Sequence, residues 1–427
     1  MFSSFSPLQL RTPKMEECDV IDLFELHYSE LSSSSKKSDS IMKALGSNGP
    51  GLLAVTGIPN ISNLRSYLLP LARKLSLLDR QTRNRILKEH NLGSDVPLKN
   101  PHRSVSSFAM QLKYAKTNSE EKDEHEFYGN GFENLGNAFQ ELGFCMMEVG
   151  LCVARICDKA IGGNELEQSL LESNAAKGRL IHYHSYLDAI LLQELDKSKT
   201  NNKRGVTNAK PLEGSCLNSI ACDAVHSNLW QQWHYDYGIF TVLTDPFFLF
   251  PSYSEMSAIQ DSSTCVEYPS PTGNTNLQIY DPNKKRVLMV RAPPESFIVQ
   301  VGESADIISK GKLRSILHSV HRPLKFENLS RETFVVFLQP AWTKTFSISD
   351  YPLGKSAFDG VDGQCVLVEE FDDDEQQSGQ DDNKLSLEIQ KIVPPLSSRL
   401  KDGMTFAEFS RETTKQYYGG NGLQSNR

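Results

Sequence analysis

Apolar residues at 132, 135, 139, 142, 146, 149, 153, 156 and 160 are separated by alternating steps of three and four. That period gathers them on one helical face and predicts an amphipathic helix over 132–161, stopped by Gly162 and Gly163. A helix this long with one apolar side is a scaffold that packs on a sheet. From about Gly178 the pattern shortens to apolar runs of strand length: RLIHYHSY, WHYDYGIFTVLT, LQIYDP, KRVLMVRAP, SFIVQVG, ADIIS, HSVHRP and TFVVFLQPAW. Turn residues divide them, which predicts an antiparallel barrel or sandwich. Upstream, GLLAVTGI reads as a β-rich run closed by Gly57 and Pro59. ISNLRSYLLPLARKLSLLD reads as an amphipathic helix with a kink or break at Pro70.

These patterns divide the chain into a frayed tail (1–17), a mostly helical region packing on the core (18–177) and a β-rich core (178–345). Polar insertions interrupt the core at 196–215 and 251–276. The remainder, 346–427, carries an acidic run at 369–384 that reads as a solvated loop, then the helical segment GMTFAEFSRETTKQYYGG.

Composition narrows the function classes. A length of 427 residues suits two ordinary domains or one large enzyme. The net charge of −8 argues against a nucleic-acid binder, which would concentrate basic residues. No apolar run approaches the roughly 20 residues needed to span a bilayer. The acid-free opening MFSSFSPLQLRTPK is short for a transit peptide, so a cytoplasmic location is expected. Eight cysteines, none in a C-x-x-C pair, fit a reducing compartment and speak against a zinc ribbon. A monomer is expected.

The chemistry concentrates in LWQQWHYDYGIFTVLTDPFF. His234 and Asp236 are two apart, and on an extended strand such residues face the same way. Two ligands cannot fix a metal alone, so a third must come from a distant strand. His318, after a glycine turn and a β-like run, is the candidate. Two His and one carboxylate form the facial triad of non-haem Fe(II) oxygenases, which leaves the opposite face open. Each residue also has a plainer reading, H-x-D as a hydrogen-bonded pair and His318 as a core histidine. Arg331 in SRETFVVFLQP shifts the balance, because it precedes a strongly apolar strand where an unpaired guanidinium is costly. Its planar fork suits a carboxylate, and Thr333 shares its face. The partner is either a protein Asp or Glu or a small dicarboxylate chelating the metal.

Here the residues carry a family resemblance. HYDYGIFTVL resembles the H-x-D-x-G-x-x-T-x-L strand of the plant-type Fe(II)/2-oxoglutarate-dependent oxygenases, the isopenicillin-N-synthase-like superfamily. The block from LQIYDP to SKGKLRSILHSV is similar to the one that carries that family's distal His. RETFVVFLQPAW resembles its Arg-x-Ser strand with Thr333 for Ser, and RLIHYHSY stands where the family places a Tyr, here Tyr183. The likeness covers most of 18–350 in outline and is specific in the catalytic strands.

It implies an α+β fold, a double-stranded β-helix (jelly roll) flanked by helices. It also implies Fe(II) on His234, Asp236 and His318, with 2-oxoglutarate held by Arg331 and Thr333, assisted by Tyr183. A small-molecule substrate and O2 complete the implied reaction, with no nucleic acid and no membrane involved. Two departures stand out. Asp236 and His318 are 82 positions apart, longer than the family pattern, and the 251–276 insertion absorbs the excess. His321 competes with His318 in HSVHRP, although the glycine-turn context favours His318. His182 and His184 are expected to line the substrate pocket or to pack. Two other readings remain open: an iron oxidase that does not use 2-oxoglutarate, and a non-catalytic ligand-binding jelly roll.

Overall fold

The computed structural model describes residues 19–32, 37–94, 103–113, 131–201, 228–250, 267–348 and 392–418, together with 96, 98, 127, 351 and 352. The tail 1–17, the acidic run 369–384 and most of both core insertions lie outside these residues.

In chain order the described strands are β1 (Val20–Asp22), β2 (Glu25–His27), β3 (Leu52–Thr56), β4 (Gly93–Ser94), β5 (Val105–Lys113), β6 (Ala175–Tyr183), β7 (Leu229–His234), β8 (Phe240–Thr244), β9 (Phe247–Leu249), β10 (Leu277–Asp281), β11 (Arg286–Arg291), β12 (Phe297–Val301), β13 (His318–His321) and β14 (Ser330–Leu338). They form two sheets. The minor sheet runs β1-β11-β10-β13-β7 and the major one β2-β3-β12-β8-β14-β6-β5-β4, with β9 also on β14. All pairings are antiparallel except β1 with β11 and β2 with β3. The chain is therefore an α+β protein built on a double-stranded β-helix.

Period-two alternation sorts the major sheet's side chains into two layers. Ile181, Tyr183, Leu243, Ile298 and Val335 meet Trp230, Leu277, Ile279 and Val320 of the minor sheet inside the barrel. Leu180, Val242, Val299, Phe334 and Val336 face outward onto the helices α1 (Ser38–Leu45), α2 (Ile61–Leu77) and α4 (Leu135–Ile161). Two shorter helices, α3 (Arg80–Glu89) and α5 (Glu165–Ser173), follow α2 and α4 in the chain. In α4 the predicted stripe is buried from Leu135 to Ile156, and Ala160 at its end is exposed. Phe139 meets Phe334 edge-on at 4.6 Å. Gly150 lets the helix settle on the sheet, since a Cβ there would fall 2.0 Å from Leu338 Cδ1. Gly162, at φ 83°, ends the helix in the left-handed conformation that glycine adopts without cost.

Three expectations need correction. Helix α2 does not break at Pro70, because Leu68, Leu69, Leu71, Ala72 and Leu75 are buried around it and outweigh one lost backbone bond. ADIIS is no strand; Glu303–Ile308 is a short helix whose first amides bond a preceding loop. The β-rich region also contains a helix, α6 (Tyr186–Asn201). Its start is a capping box. The Asp188 amide donates to Ser185 Oγ at 3.1 Å, and the Ser185 amide donates to the Asp188 carboxylate at 3.0 Å. The C-terminal helix is present at Phe406–Tyr418. Among the described residues, no helix is long and apolar enough to cross a membrane.

Candidate metal centre

His234 ends β7 and His318 opens β13, and the two residues are direct partners in the antiparallel ladder. Their imidazoles therefore lie side by side, with centroids 4.3 Å apart. Asp236 follows in the loop from β7 to β8 and turns its carboxylate between them. Oδ1 is 3.8 Å from His234 Nε2, and Oδ2 is 3.7 Å from His318 Nε2. One ligand atom from each residue lies within 4.8 Å of the others, close enough for one cation to touch all three. His321 is not part of the group; it pairs with Leu229 at the far end of the strand, beyond a register irregularity.

The residues around the triad fix the orientation of its three side chains. His234 Nδ1 donates to the Gln232 carbonyl at 2.7 Å, and His318 Nδ1 donates to the Ile316 carbonyl at 3.0 Å. Each bond selects the tautomer whose Nε2 lone pair points at Asp236. Burial and the neighbouring His318 ring push His234 down to about 4, so it is a neutral imidazole near pH 7. Thr241 donates to Asp236 Oδ2 at 2.6 Å and fixes the carboxylate plane. The loop itself is held by the short helix Glu303–Ile308. The Glu303 amide donates to the Asp236 carbonyl at 2.8 Å and the Ser304 amide to the Gly238 carbonyl at 3.0 Å. Behind that helix, Arg399 grips Glu303 through both Nη atoms, at 2.8 and 2.5 Å. Tyr417 of the C-terminal helix accepts the Tyr235 amide at 3.2 Å.

A chain of contacts leads from the triad to the barrel floor. The Gln231 amide donates to His234 Nε2 at 2.9 Å, and its oxygen accepts the Tyr183 hydroxyl at 2.7 Å. The Arg331 guanidinium lies 5.2 Å over the Tyr183 ring. Arg331 is 1% exposed. Its Nε donates to the Thr275 carbonyl at 3.0 Å, and burial lowers its pKa. Among the described residues no carboxylate forms an ion pair with it, and its two Nη groups have no hydrogen-bond partner. Thr333 shares its inward face but turns its hydroxyl to the Thr244 carbonyl, at 3.4 Å. Trp233, Ile239 and Phe240 are buried core residues.

His182 and His184 occupy the opposite face of β6 from Tyr183 and do not line the barrel. Both are buried, with rings 4.5 Å apart. His182 Nδ1 lies 2.8 Å from Glu332, and its Nε2 lies 3.4 Å from Asp188. Asp188 also accepts Arg73 Nε at 2.9 Å. Burial opposes protonation of His182, but the two carboxylates outweigh it and raise it to about 9. A raised histidine stabilises the fold fully below its unfolded value of about 6.5, and that contribution fades as pH rises through about 9. Urea denaturation should therefore show stability falling between pH 7 and 10 by up to roughly 3 kcal/mol from this group. His182→Gln should flatten that slope; an unchanged slope would refute the assignment.

Gln231, Thr241 and Glu303 escaped the sequence reading. Thr241 was visible as the Thr of HYDYGIFT, whereas nothing in the sequence marks Gln231 or Glu303.

No protein-family model matches the chain, and a search of curated proteins finds no match. Among solved structures, the chain is similar to a full-length Neurospora crassa protein in complex with alpha-KG and 5-formyluracil, at 14% identity over 76% of this chain and 86% of that one, with a TM-score of 0.46. It is similar to JOX2 in complex with 2OG, Fe and JA at 12% identity, covering 77% and 78% of the two chains, with a TM-score of 0.47. The rice dioxygenase for auxin oxidation gives 14%, 76% and 85%, with a TM-score of 0.46. Likenesses this distant assign neither activity nor substrate.

Proposed function

We propose that this chain is an Fe(II)- and 2-oxoglutarate-dependent oxygenase acting on a C–H bond of a small molecule. The observation that carries the reading is the pairing of an open His-Asp-His triad with Arg331, a buried guanidinium that has no carboxylate partner among the described residues. Leaving such a cation unpaired is costly, and a dicarboxylate whose far end reaches it removes the cost.

The donor set fits a divalent first-row ion. It offers two imidazoles and one carboxylate, which leave one side of the ion to exchangeable ligands. When bound, Fe(II) with 2-oxoglutarate supplies the oxidising power, and the balance is R–H + O2 + 2-oxoglutarate → R–OH + succinate + CO2.

The chain's own residues do the rest. His234 and His318 present lone pairs in tautomers set by the Gln232 and Ile316 carbonyls. Asp236 brings the negative charge, held in plane by Thr241. Were a metal held at His234 Nε2, the Gln231 amide would have to give up that lone pair, which serves one partner at a time. The Gln231 amide would then face the co-substrate between the triad and Arg331, while the Tyr183 hydroxyl stays on the Gln231 oxygen. Ile181, Leu243 and Val335 line the same space and exclude water.

Anaerobic addition of Fe(II) and 2-oxoglutarate to the purified protein should produce a weak visible charge-transfer absorption. Its absence from the wild-type protein would overturn the reading.

A further inference from the structure

One wall of the barrel carries a buried polar side chain that the triad does not engage. In β12, Phe297, Val299 and Val301 face the helices, whereas Ile298 faces the barrel interior. Gln300 shares the face of Ile298 and therefore points inward. Its cross-strand partners, Leu52 on β3 and Thr241 on β8, agree with that placement. Leu52 belongs to the inner layer and Leu53 to the outer one, and Thr241 shares the face of Leu243 rather than that of Val242. Leu52, Gln300, Thr241 and Phe337 thus form one row across the major sheet, next to an apolar row of Ile298, Leu243 and Val335.

This row stands at the level of the triad. Thr241 donates to Asp236 Oδ2 at 2.6 Å. Two residues past Gln300, the chain closes on the loop that carries Asp236, since a Cβ on Gly302 would fall 3.0 Å from the Asp236 carbonyl oxygen. One residue past it, the Val301 carbonyl accepts the Ile316 amide at 3.3 Å, on the segment that leads into His318. The end of β12 therefore touches both backbone segments that deliver ligands from outside β7. Gln300 is 2% exposed, and its buried Nε2 has no hydrogen-bond partner among the described residues. An amide donor buried without an acceptor is costly, and the apolar side chains of Leu52, Ile298 and Leu243 supply none.

We propose that Gln300 binds the co-substrate, its Nε2 donating to the carboxylate at the end of the 2-oxo acid that chelates the metal. Arg331 and Gln300 then hold opposite ends of one molecule, the guanidinium taking the far carboxylate and the amide the near one. A neutral donor suits the near end. A cation there would repel the divalent ion, and a carboxylate would compete for it. The identity of the acid rests on the oxygenase reading, but the contact can be measured without turnover.

The test is binding of pyruvate and of 2-oxoglutarate to the full chain loaded with Mn(II), followed through the proton relaxation of water on the ion. Pyruvate has the chelating end of 2-oxoglutarate without the far carboxylate. Gln300→Met keeps the length of the side chain and loses the donor. It should weaken both acids about tenfold or more, as expected for a hydrogen bond to a charged group. Arg331→Gln should weaken 2-oxoglutarate and leave pyruvate unchanged. In Gln300→Met the Mn(II) affinity should stay within about twofold of wild type, and the ligand-free denaturation midpoint should not fall, because an unpaired buried amide is gone. Gln300→Asn should keep part of the pyruvate affinity. No pyruvate binding by the wild-type protein, or unchanged pyruvate affinity in Gln300→Met, would overturn the proposal. So would a loss of Mn(II) affinity that matches the pyruvate loss, which would make Gln300 a support for Asp236. If Gln300→Met does not fold, Gln300→Glu decides, since its carboxylate cannot donate and unchanged pyruvate affinity there would overturn the contact. If the Fe(II)–2-oxoglutarate absorption is missing while pyruvate binding still depends on Gln300, the oxygenase reading fails and the contact stands.

Discussion

Asp236→Ala should leave a folded protein that no longer retains Fe(II). Asp236 brings the triad's only negative charge, placed 3.7 to 3.8 Å from both imidazole nitrogens. Without it, two histidines face a divalent ion alone. Even outer residues that orient metal ligands cost about 10- to 100-fold when lost, so removing a ligand should weaken metal binding by at least about 100-fold. Product formation should fall by three orders of magnitude or more, on the order of 4 kcal/mol. Calorimetric titration with Mn(II) or Co(II) separates this from misfolding, provided circular dichroism and denaturation midpoints stay near wild type. Near-wild-type metal affinity in Asp236→Ala would mean that the three side chains converge for another reason.

The triad could be anticipated because its chemistry is local at both ends. An H-x-D pair on a strand shares a face, and a glycine turn with a β-like run marked His318 over His321. What holds the triad was much less visible. Glu303 lies 67 positions from Asp236, and its contribution is a backbone amide, which no side-chain pattern records. Gln231 reads as an ordinary polar strand residue until the fold sets it between His234 and Tyr183.

Other features were legible but went unread. Period-two alternation already places His182 and His184 opposite Tyr183, away from the barrel interior. Ser185 with Asp188 is a capping signature, and it announces α6 inside a stretch taken for strands and loop. β5 was overlooked because VSSFAMQLK begins with serines, and its apolar face emerges only against β6 and the helices. Long, one-sided patterns were readable; contacts made by the backbone or across distant strands were not.

Arg331→Gln tests the other half of the centre, and its value lies in separating affinity from stability. A buried guanidinium that pairs with a bound carboxylate loses several kcal/mol of binding when truncated. A loss of roughly 2–4 kcal/mol corresponds to a rise of about 30- to 1000-fold in the KM for 2-oxoglutarate. Arg331→Lys should fall between, since it keeps the charge but not the fork. If Arg331 were only structural, its removal would destabilise the fold. Within the described protein its bonds amount to one Nε donation to the Thr275 carbonyl and a position over the Tyr183 ring. Deleting them should cost no more than about 1 kcal/mol, and relief of an unpaired buried charge offsets part of that. The ligand then reveals the difference. With Mn(II) present, 2-oxoglutarate at one hundred times its dissociation constant should stabilise the wild-type protein by about 2.7 kcal/mol. At the same concentration it should barely move the Arg331→Gln midpoint. If the variant were instead much less stable without ligand but kept its 2-oxoglutarate affinity, Arg331 would be a core residue and the dicarboxylate would be anchored elsewhere.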